Sequence, residues 1–411
     1  MMKGRKLRGL QDVVKAQLCI GCGACAAYCE KGVVGLVNDE RKGIHPLFEE
    51  GCGDCRECLA FCPGAVLDFG KLREADTTKY HPLLGPWLEI YEGYAVDPEI
   101  RYRGSSGGTI SALSLYFLEH EKRAFVLHTG MNPKKPWQNR TVMSSNRHEL
   151  LEHAGSRYAP SSPCEALRDI AQSSLSCVFV GKPCDVAAVH TLRASWTDLH
   201  ERLGLVLSFF CAGPPPGGAT RELVASQGIT PESVTSIRYR GNGWPGDFQV
   251  HYDGGRASRS LTYRESWGRL AAYRRSLRCN LCPDGTGEFA DIACGDAWHR
   301  HNEDGNPGIS ALIVRTPRGK EILERAVKAG YLVVEASSPE RVLSGQGLQK
   351  RRMELHGRLL ALQFLWWPRP EYRGLDSAAL WRDIPSRRKM RIVFGTARRI
   401  VVRRNFNRCA G

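Results

Sequence analysis

The sequence predicts an α+β protein, a small cysteine-rich N-terminal unit followed by an α/β domain with an additional antiparallel sheet region. Three observations carry that expectation. Eight of the 16 cysteines are crowded between Cys19 and Cys62. From residue 99 onward, short apolar runs alternate with amphipathic segments, as strands and helices do around an α/β sheet. Further on, Asp247-Phe-Gln-Val-His-Tyr252 alternates like a strand directly after a glycine-rich turn. At 411 residues the chain has room for two or three units. We divide it into 1–70, a linker 71–98, an α/β part 99–230, a second part 231–345 and a basic helical tail 346–411. No apolar run reaches the roughly 18 residues of a membrane span. Lys3, Arg5, Lys6 and Arg8 are followed by no apolar export segment, so a cytoplasmic location is expected. In that reducing compartment cysteines serve as ligands rather than as a disulfide framework.

The N-terminal cysteines repeat one spacing. Cys19, Cys22, Cys25 and Cys29, then Cys52, Cys55, Cys58 and Cys62, each read C-x2-C-x2-C-x3-C. The second run ends in Cys62-Pro63, completing the bacterial ferredoxin signature, whereas Cys29 is followed by Glu30. In such pairs the fourth cysteine of each run ligates the other cluster. One [4Fe–4S] cluster is therefore expected on Cys19, Cys22, Cys25 and Cys62, and a second on Cys52, Cys55, Cys58 and Cys29. Zinc would leave half of each run unexplained. Glycines 21, 23, 51 and 53 let backbone amides approach the sulfurs. Residues 32–37 and 43–48 read as two short strands around a turn, and the proline- and glycine-bearing stretch 71–98 leads to the next unit.

Next, Arg103-Gly-Ser-Ser-Gly-Gly108 opens a helix whose apolar face is Ile110, Leu113, Phe117 and Leu118, before a strand at 124–128. Such a turn offers amides and a positive dipole end that can hold a phosphate, although on its own it reads first as a plain helix cap. Ser162-Pro-Cys-Glu165 forms a capping-box signature with proline at the first helical position. A strand at 177–180 runs into Gly181-Lys-Pro-Cys184, and another at 203–210 ends in Cys211, so two cysteines sit at strand ends, where α/β sheets build their sites. Gly241-Asn-Gly-Trp-Pro-Gly246 matches G-x-G-x-x-G but leads into a strand, which argues against a dinucleotide fingerprint. Cys279 and Cys282 form a further C-x2-C. Taken locally, Cys279, Cys282, Cys294 and His299 suit zinc as well as iron.

Together these segments resemble the coenzyme F-420 hydrogenase/dehydrogenase beta-subunit family of iron–sulfur flavoproteins, which includes the 7-hydroxymethyl chlorophyll a reductases. The resemblance rests on Ile90–Tyr94, Gly104–Gly108, Gly155–Tyr158, Val180–Cys184, Phe210-Cys211, Arg240–Pro245, Arg278–Cys282, Ala290–Ile292 and Gly295–Trp298, in family order. It implies an α/β flavin-binding domain holding FAD, with a third [4Fe–4S] cluster beside it in the second part. Carried over residue by residue, it assigns that cluster to Cys184, Cys211, Cys279 and Cys282. FAD would lie on Ser105, Ser106, Gly107, Gly108 and Thr109, on Ser156, Arg157 and Tyr158, and on Gly181, Lys182 and Pro183. Cys294 matches no family cysteine and reads as a small buried hydrophobe. Asn242 stands where many relatives that use the deazaflavin coenzyme carry lysine.

The parts imply a converter between two-electron hydride chemistry at FAD and one-electron transfer through clusters, with a redox partner protein, a ferredoxin or another subunit, and a small hydride-exchanging substrate. No catalytic acid or base is identified, and His128, His190, Asp247 and Asp296 are the weak candidates. The formal charge of +15 invites a nucleic-acid reading. Three clusters and FAD would lower it to about +7, and no aromatic-interleaved basic groove appears, so no nucleic-acid partner is expected. What remains is concentrated at Arg387, Arg388, Lys389, Arg391, Arg398, Arg399, Arg403, Arg404 and Arg408. With Met390, Val393, Phe394, Ala397 and Val401 these make a basic amphipathic helix suited to peripheral surface contact or to covering the core. A non-catalytic electron-transfer subunit is the alternative function.

Overall fold

The computed structural model describes residues 5–53, 55–72, 79–121, 123–273, 275–301 and 306–408, with side chains described as far as 402. The side chains of Arg403, Arg404 and Arg408 of the basic tail, as well as Lys3 and linker residues 73–78, therefore lie outside what is described.

The first cysteine run wraps a one-turn helix, Ala24–Tyr28, and leads to the hairpin β1 (Val34–Asp39) and β2 (Gly43–Phe48), which pair antiparallel. Gly23 enters that helix at φ 90°, and a Cβ there would lie 2.7 Å from the Glu165 amide nitrogen, so only glycine lets this loop close on the following unit. After the second run a short strand, β3 (Val66–Asp68), completes the unit, and a hairpin of β4 (Lys79–His81) and β5 (Gly85–Trp87) follows.

The large sheet begins with β6 (Glu89–Ala95), β7 (Ala124–Met131), β8 (Asn139–Ser144), β9 (Ser176–Gly181) and β10 (Leu203–Phe209). The chain then leaves it for a three-stranded antiparallel sheet, β11 (Val234–Arg238), β12 (Gln249–Tyr252) and β13 (Arg256–Ala257). It returns with β14 (Ile292–Asp296), β15 (Ser310–Val314) and β16 (Leu332–Ala336). The order is β16-β6-β15-β14-β10-β9-β7-β8. β14, β10, β9 and β7 run parallel, flanked by antiparallel neighbours, so the ends of β9, β10 and β14 open on one edge. Residues 89–95, read from sequence as the close of a linker, instead form an interior strand. The prolines and glycine of 82–86 end the connection earlier, and buried Ile90, Glu92 and Ala95 belong to the sheet.

The cysteine-rich unit is wedged in place. On one side Cys22, Ala24, Ala27, Phe61 and Phe69 share a core with Leu127, Leu167, Phe179 and Val186 of the α/β part. On the other, Leu10, Val13, Leu18 and Ala65 pack on Leu277, Leu281, Leu355, Leu362, Trp367 and Ile400. A final strand, β17 (Glu371–Arg373), pairs parallel with β3. The terminal helix Ser386–Arg408 buries Thr396 and Ile400 yet leaves Met390 and Phe394 57% and 70% exposed. Among the described residues no helix is long and apolar enough to cross a membrane.

Candidate functional site

Three groups of thiols dominate the interior. Cys19, Cys22, Cys25 and Cys62 form the first. Burial, then the charges of Cys62 and Cys22, push the Cys19 thiol up; burial, then Cys22, Cys62 and Cys19, do the same to Cys25. Cys62 is pushed up to about 12 by burial and by Cys22. The second group is Cys29, Cys52, Cys55 and Cys58. Burial raises Cys52, with Cys29 and Cys55 adding to it, and Cys58 rises to about 12 through burial, Cys55 and Cys29. Each fourth cysteine therefore faces the other run. Cys58 also feels Cys62, which makes the two groups neighbours.

The third group gathers at the open edge of the parallel strands. Cys184 follows β9, Cys211 follows β10, and Cys279 and Cys282 come from the helix Leu277–Asn280 and the residues after it. Burial lifts Cys211 to about 12, aided by Cys279 and Cys282, and Cys184 is raised by burial, by Asp185, and by Cys211 and Cys282. A cleft is lined by Cys184, Cys211, Cys279 and Cys282 together with Cys19 of the first group, so groups one and three share one wall. Backbone amides already point at two sulfurs: Gly21 N donates to Cys19 Sγ at 3.4 Å and Gly213 N to Cys211 Sγ at 3.3 Å.

Four thiols so close and so buried cannot all ionise unless a cationic group between them takes up their charge. Among the described residues, no three His, Cys, Asp or Glu side chains converge on a single metal ion. Zinc would draw its sulfurs to about 3.8 Å from one another, given Zn–S bonds of about 2.3 Å in a tetrahedron. Each group offers four cysteines, the all-thiolate donor set that an iron–sulfur cluster takes. The local zinc set is not assembled: Cys294 lies in the apolar core with Leu113, Leu207 and Leu312, and His299 Nε2 is 3.2 Å from Glu92 Oε1.

A second feature lies at the end of β14. Asp296 accepts from Arg240 Nη1 and Nη2 at 3.0 and 2.6 Å and from Trp244 Nε1 at 2.9 Å. Arg240, 4% exposed, also donates to Ser105 O and Pro245 O and sits over Tyr263 and Trp298. Trp298 stacks on Tyr263 and on Trp244, with His301 at their edge. Apart from Asp296 as a weak acid–base candidate, reading the residues alone gives this platform no role, and its signal in the sequence is the pair of tryptophans in Arg240–Pro245 and Gly295–Trp298.

The residues expected around FAD fall into two classes. Ser156 N donates to Ser105 Oγ at 2.6 Å, and Tyr158 packs on Tyr239 and Trp267 near Arg240, so these two segments meet beside the platform. Gly107 N, by contrast, donates to Ser310 Oγ at 3.0 Å, and a Cβ there would stand 2.5 Å from Gly93 O. Gly107 packs close on β6 and β15, Gly108 packs close on Ile100 and Arg101 of the helix Pro98–Arg103, and Ser106 Oγ donates to Ile309 O. Arg157 donates to Asn139 Oδ1, Ile237 O, Pro136 O and Gln138 O. Lys182 Nζ donates to Ser161 O, Ser161 Oγ and Asp185 Oδ2. Both cations thus hold protein segments together. Gly181 O accepts from Ser208 Oγ, and Pro183 lines the shared cleft. The proposed acid–base candidates are dispersed: His128 bonds Ser144 Oγ, His190 packs on Phe289, Asp247 is exposed, and Asp296 is engaged by Arg240.

Residues 18–67 match a 4Fe-4S dicluster domain. Residues 90–168 match the N-terminal part, and residues 175–340 the C-terminal part, of the family described as "Coenzyme F420 hydrogenase/dehydrogenase, beta subunit". The chain is 26% identical over 330 residues to the "Coenzyme F420-dependent sulfite reductase" of Methanocaldococcus jannaschii, covering 76% of this chain and 46% of the relative, so it spans about half of that protein. It is 26% identical to the "Coenzyme F420 hydrogenase subunit beta" of Methanosarcina barkeri, over 66% of this chain and 88% of the relative. A chain in the F420-reducing [NiFe] hydrogenase complex of Methanosarcina barkeri shares the fold with a TM-score of 0.53 at 22% identity, covering 68% of this chain and 95% of that one. With its dicluster domain and both halves of the matching region in order, the chain belongs to the coenzyme F-420 hydrogenase/dehydrogenase beta-subunit family.

Proposed function

We propose that this protein is an FAD- and [4Fe–4S]-dependent oxidoreductase that couples hydride exchange to one-electron transfer. The observation that carries the reading is the serial contact of the thiol groups, the second against the first and the first across a cleft from the third. Clusters there would be ligated by Cys29, Cys52, Cys55 and Cys58, by Cys19, Cys22, Cys25 and Cys62, and by Cys184, Cys211, Cys279 and Cys282. Bound FAD supplies the capacity to take two electrons with a proton and release them singly. The segment Ser156–Ser161 runs from the Arg240–Asp296 platform to Lys182, beside the third group, so it spans the interval between a hydride site and a cluster. Ser105, Ser156 and Tyr158 would orient the flavin, Trp244, Tyr263 and Trp298 would exclude water from its ring, and Arg240 would supply positive charge. The names of the relatives point to coenzyme F-420 or a similar hydride carrier as substrate and to further subunits as partners.

The test is anaerobic purification with iron, sulfide, zinc and flavin measured per chain. About twelve irons and one FAD are expected. Clusters that persist while FAD refuses to bind on reconstitution would refute the flavoenzyme and leave a flavin-free electron carrier. A second reading, a non-catalytic electron-transfer subunit, is favoured by one observation, that the matched hydrogenase relative is named as a subunit. It predicts flavin without turnover by the isolated chain.

A further inference from the structure

Arg278 is a large charged side chain in the thiol region that is almost wholly buried, at 1% exposed. It stands between two groups. Its amide and the Ser276 hydroxyl reach Gln17 O, Ser276 Oγ also donates to Cys19 O at 3.3 Å, and Arg278 Nε donates to Pro63 O at 2.9 Å, next to Cys62. On its other side it adjoins Cys279, and its charge acts on Cys62 as well as on Cys279. The groups acting most strongly on the guanidinium are Tyr372, Cys282, Cys184 and Cys279, and its carbon lies 5.3 Å over the Tyr372 ring. Nη2 is buried and has no hydrogen-bond partner among the described residues. A buried cation with an unused donor is costly unless negative charge comes to it.

We infer that Arg278 is a positioning residue that serves the first and third thiol groups together, its free Nη2–H donating to a sulfur of the group held there and its charge favouring the reduced state of both. The inference rests on the cluster assignment proposed above. Hydrogen bonds and nearby charge are the levers by which a protein sets cluster potentials. The second group, for whose Cys52 and Cys58 Arg278 is not among the groups acting most strongly, is a built-in control.

The experiment is a redox titration of the anaerobic full-length protein followed by electron paramagnetic resonance, with signals assigned using Cys55→Ala and Cys211→Ala. Wild-type protein with fewer than three titrating signals would break the cluster assignment itself. Given three, Arg278→Gln is expected to make the first and third sites harder to reduce. At fixed potential their reduced-to-oxidised ratio should fall at least tenfold, a shift of about 59 mV for a one-electron couple, while the second site moves less than about threefold. Unchanged midpoints with iron retained, or an equal shift at all three sites, would overturn the inference. Should Arg278→Gln lose iron, Arg278→Lys decides. Retention of iron with near-wild-type midpoints supports the role of the charge, and loss of iron there overturns it in favour of a purely architectural arginine.

Discussion

Replacing Asp296 with asparagine should expose how tightly the aromatic platform is held. The carboxylate receives two bonds from Arg240 and one from Trp244. Asparagine keeps the shape but presents an NH2 to a guanidinium that can only donate. Two charge-assisted bonds, worth about 1.5–3 kcal/mol each, are weakened. Arg240, 4% exposed, then keeps Ser105 O, Pro245 O and the single amide oxygen as acceptors and loses its counter-charge. Breaking a buried pair by removing one partner costs about 3–5 kcal/mol. For a chain of this length unfolding as one unit, that lowers Tm by roughly 3–6 °C. The assay is thermal unfolding of the anaerobic holoprotein at fixed scan rate, with Arg240→Leu and the Arg240→Leu/Asp296→Leu double variant alongside. The double variant should lose less than the sum of the two singles, because no lone charge remains buried. A shift below about 1 °C for Asp296→Asn, or full additivity, would refute the argument that this pair is the platform's electrostatic anchor.

Cys62→Ser should abolish the cluster of the first group and Cys29→Ser that of the second, read as site-specific loss of paramagnetic signal; the opposite pattern would mean that each run binds its own cluster. Gly107→Ala should cost about 1–3 kcal/mol through overpacking, because its Cβ would stand 2.5 Å from Gly93 O, and unchanged unfolding temperature would contradict it. Burial holds His128 down at about 3, so the unfolded chain binds its proton first as the solution is acidified. The stability that His128 contributes is therefore whole above about pH 6.5 and declines toward pH 3, and His128→Gln should flatten the acid side of a stability–pH profile. The exposed Met390 and Phe394 lie on a helix with no acidic residue from 386 to 402. If that face makes peripheral contact with an anionic surface, Phe394→Asp should abolish flotation with anionic vesicles at low salt, whereas retention would exclude it.

The cysteine spacing was legible because it is local: C-x2-C-x2-C-x3-C fixes which thiols a short loop can bring together, and the hairpin between the runs follows from its alternation. The strands ending at Gly181 and Phe209 were legible for the same reason, and with them the positions of Cys184 and Cys211. Their meeting with Cys279 and Cys282 was not written locally and came only through resemblance, because about seventy residues and a separate antiparallel sheet intervene. The duties of Gly107, Arg157 and Lys182 were hidden for a further reason. A glycine beside a helix start reads alike whether its amide faces a phosphate or Ser310, and a lysine in Gly-Lys-Pro-Cys does not announce that Asp185, three residues on, holds it. Residues 89–95 were misread because proline and glycine nearby mask an interior strand whose partners, β15 and β16, lie more than two hundred residues away.

The shared cores change what the first seventy residues are for. A ferredoxin unit on a tether would have to dock before each electron passed, and its rate would follow linker length. Here Phe61 and Phe69 lie in one core with Leu127 and Phe179, Trp367 Nε1 donates to Ala16 O at 3.2 Å, and Arg278 ties Pro63 to the third thiol group. Removing the unit would expose those apolar faces together, so truncation should cost the fold of the remainder as well as two cluster sites. Groups one and three are thus held at a separation set by packing, and with the clusters proposed above in place, control of electron flow between them would lie in the charge and hydrogen bonding there, where Arg278 stands.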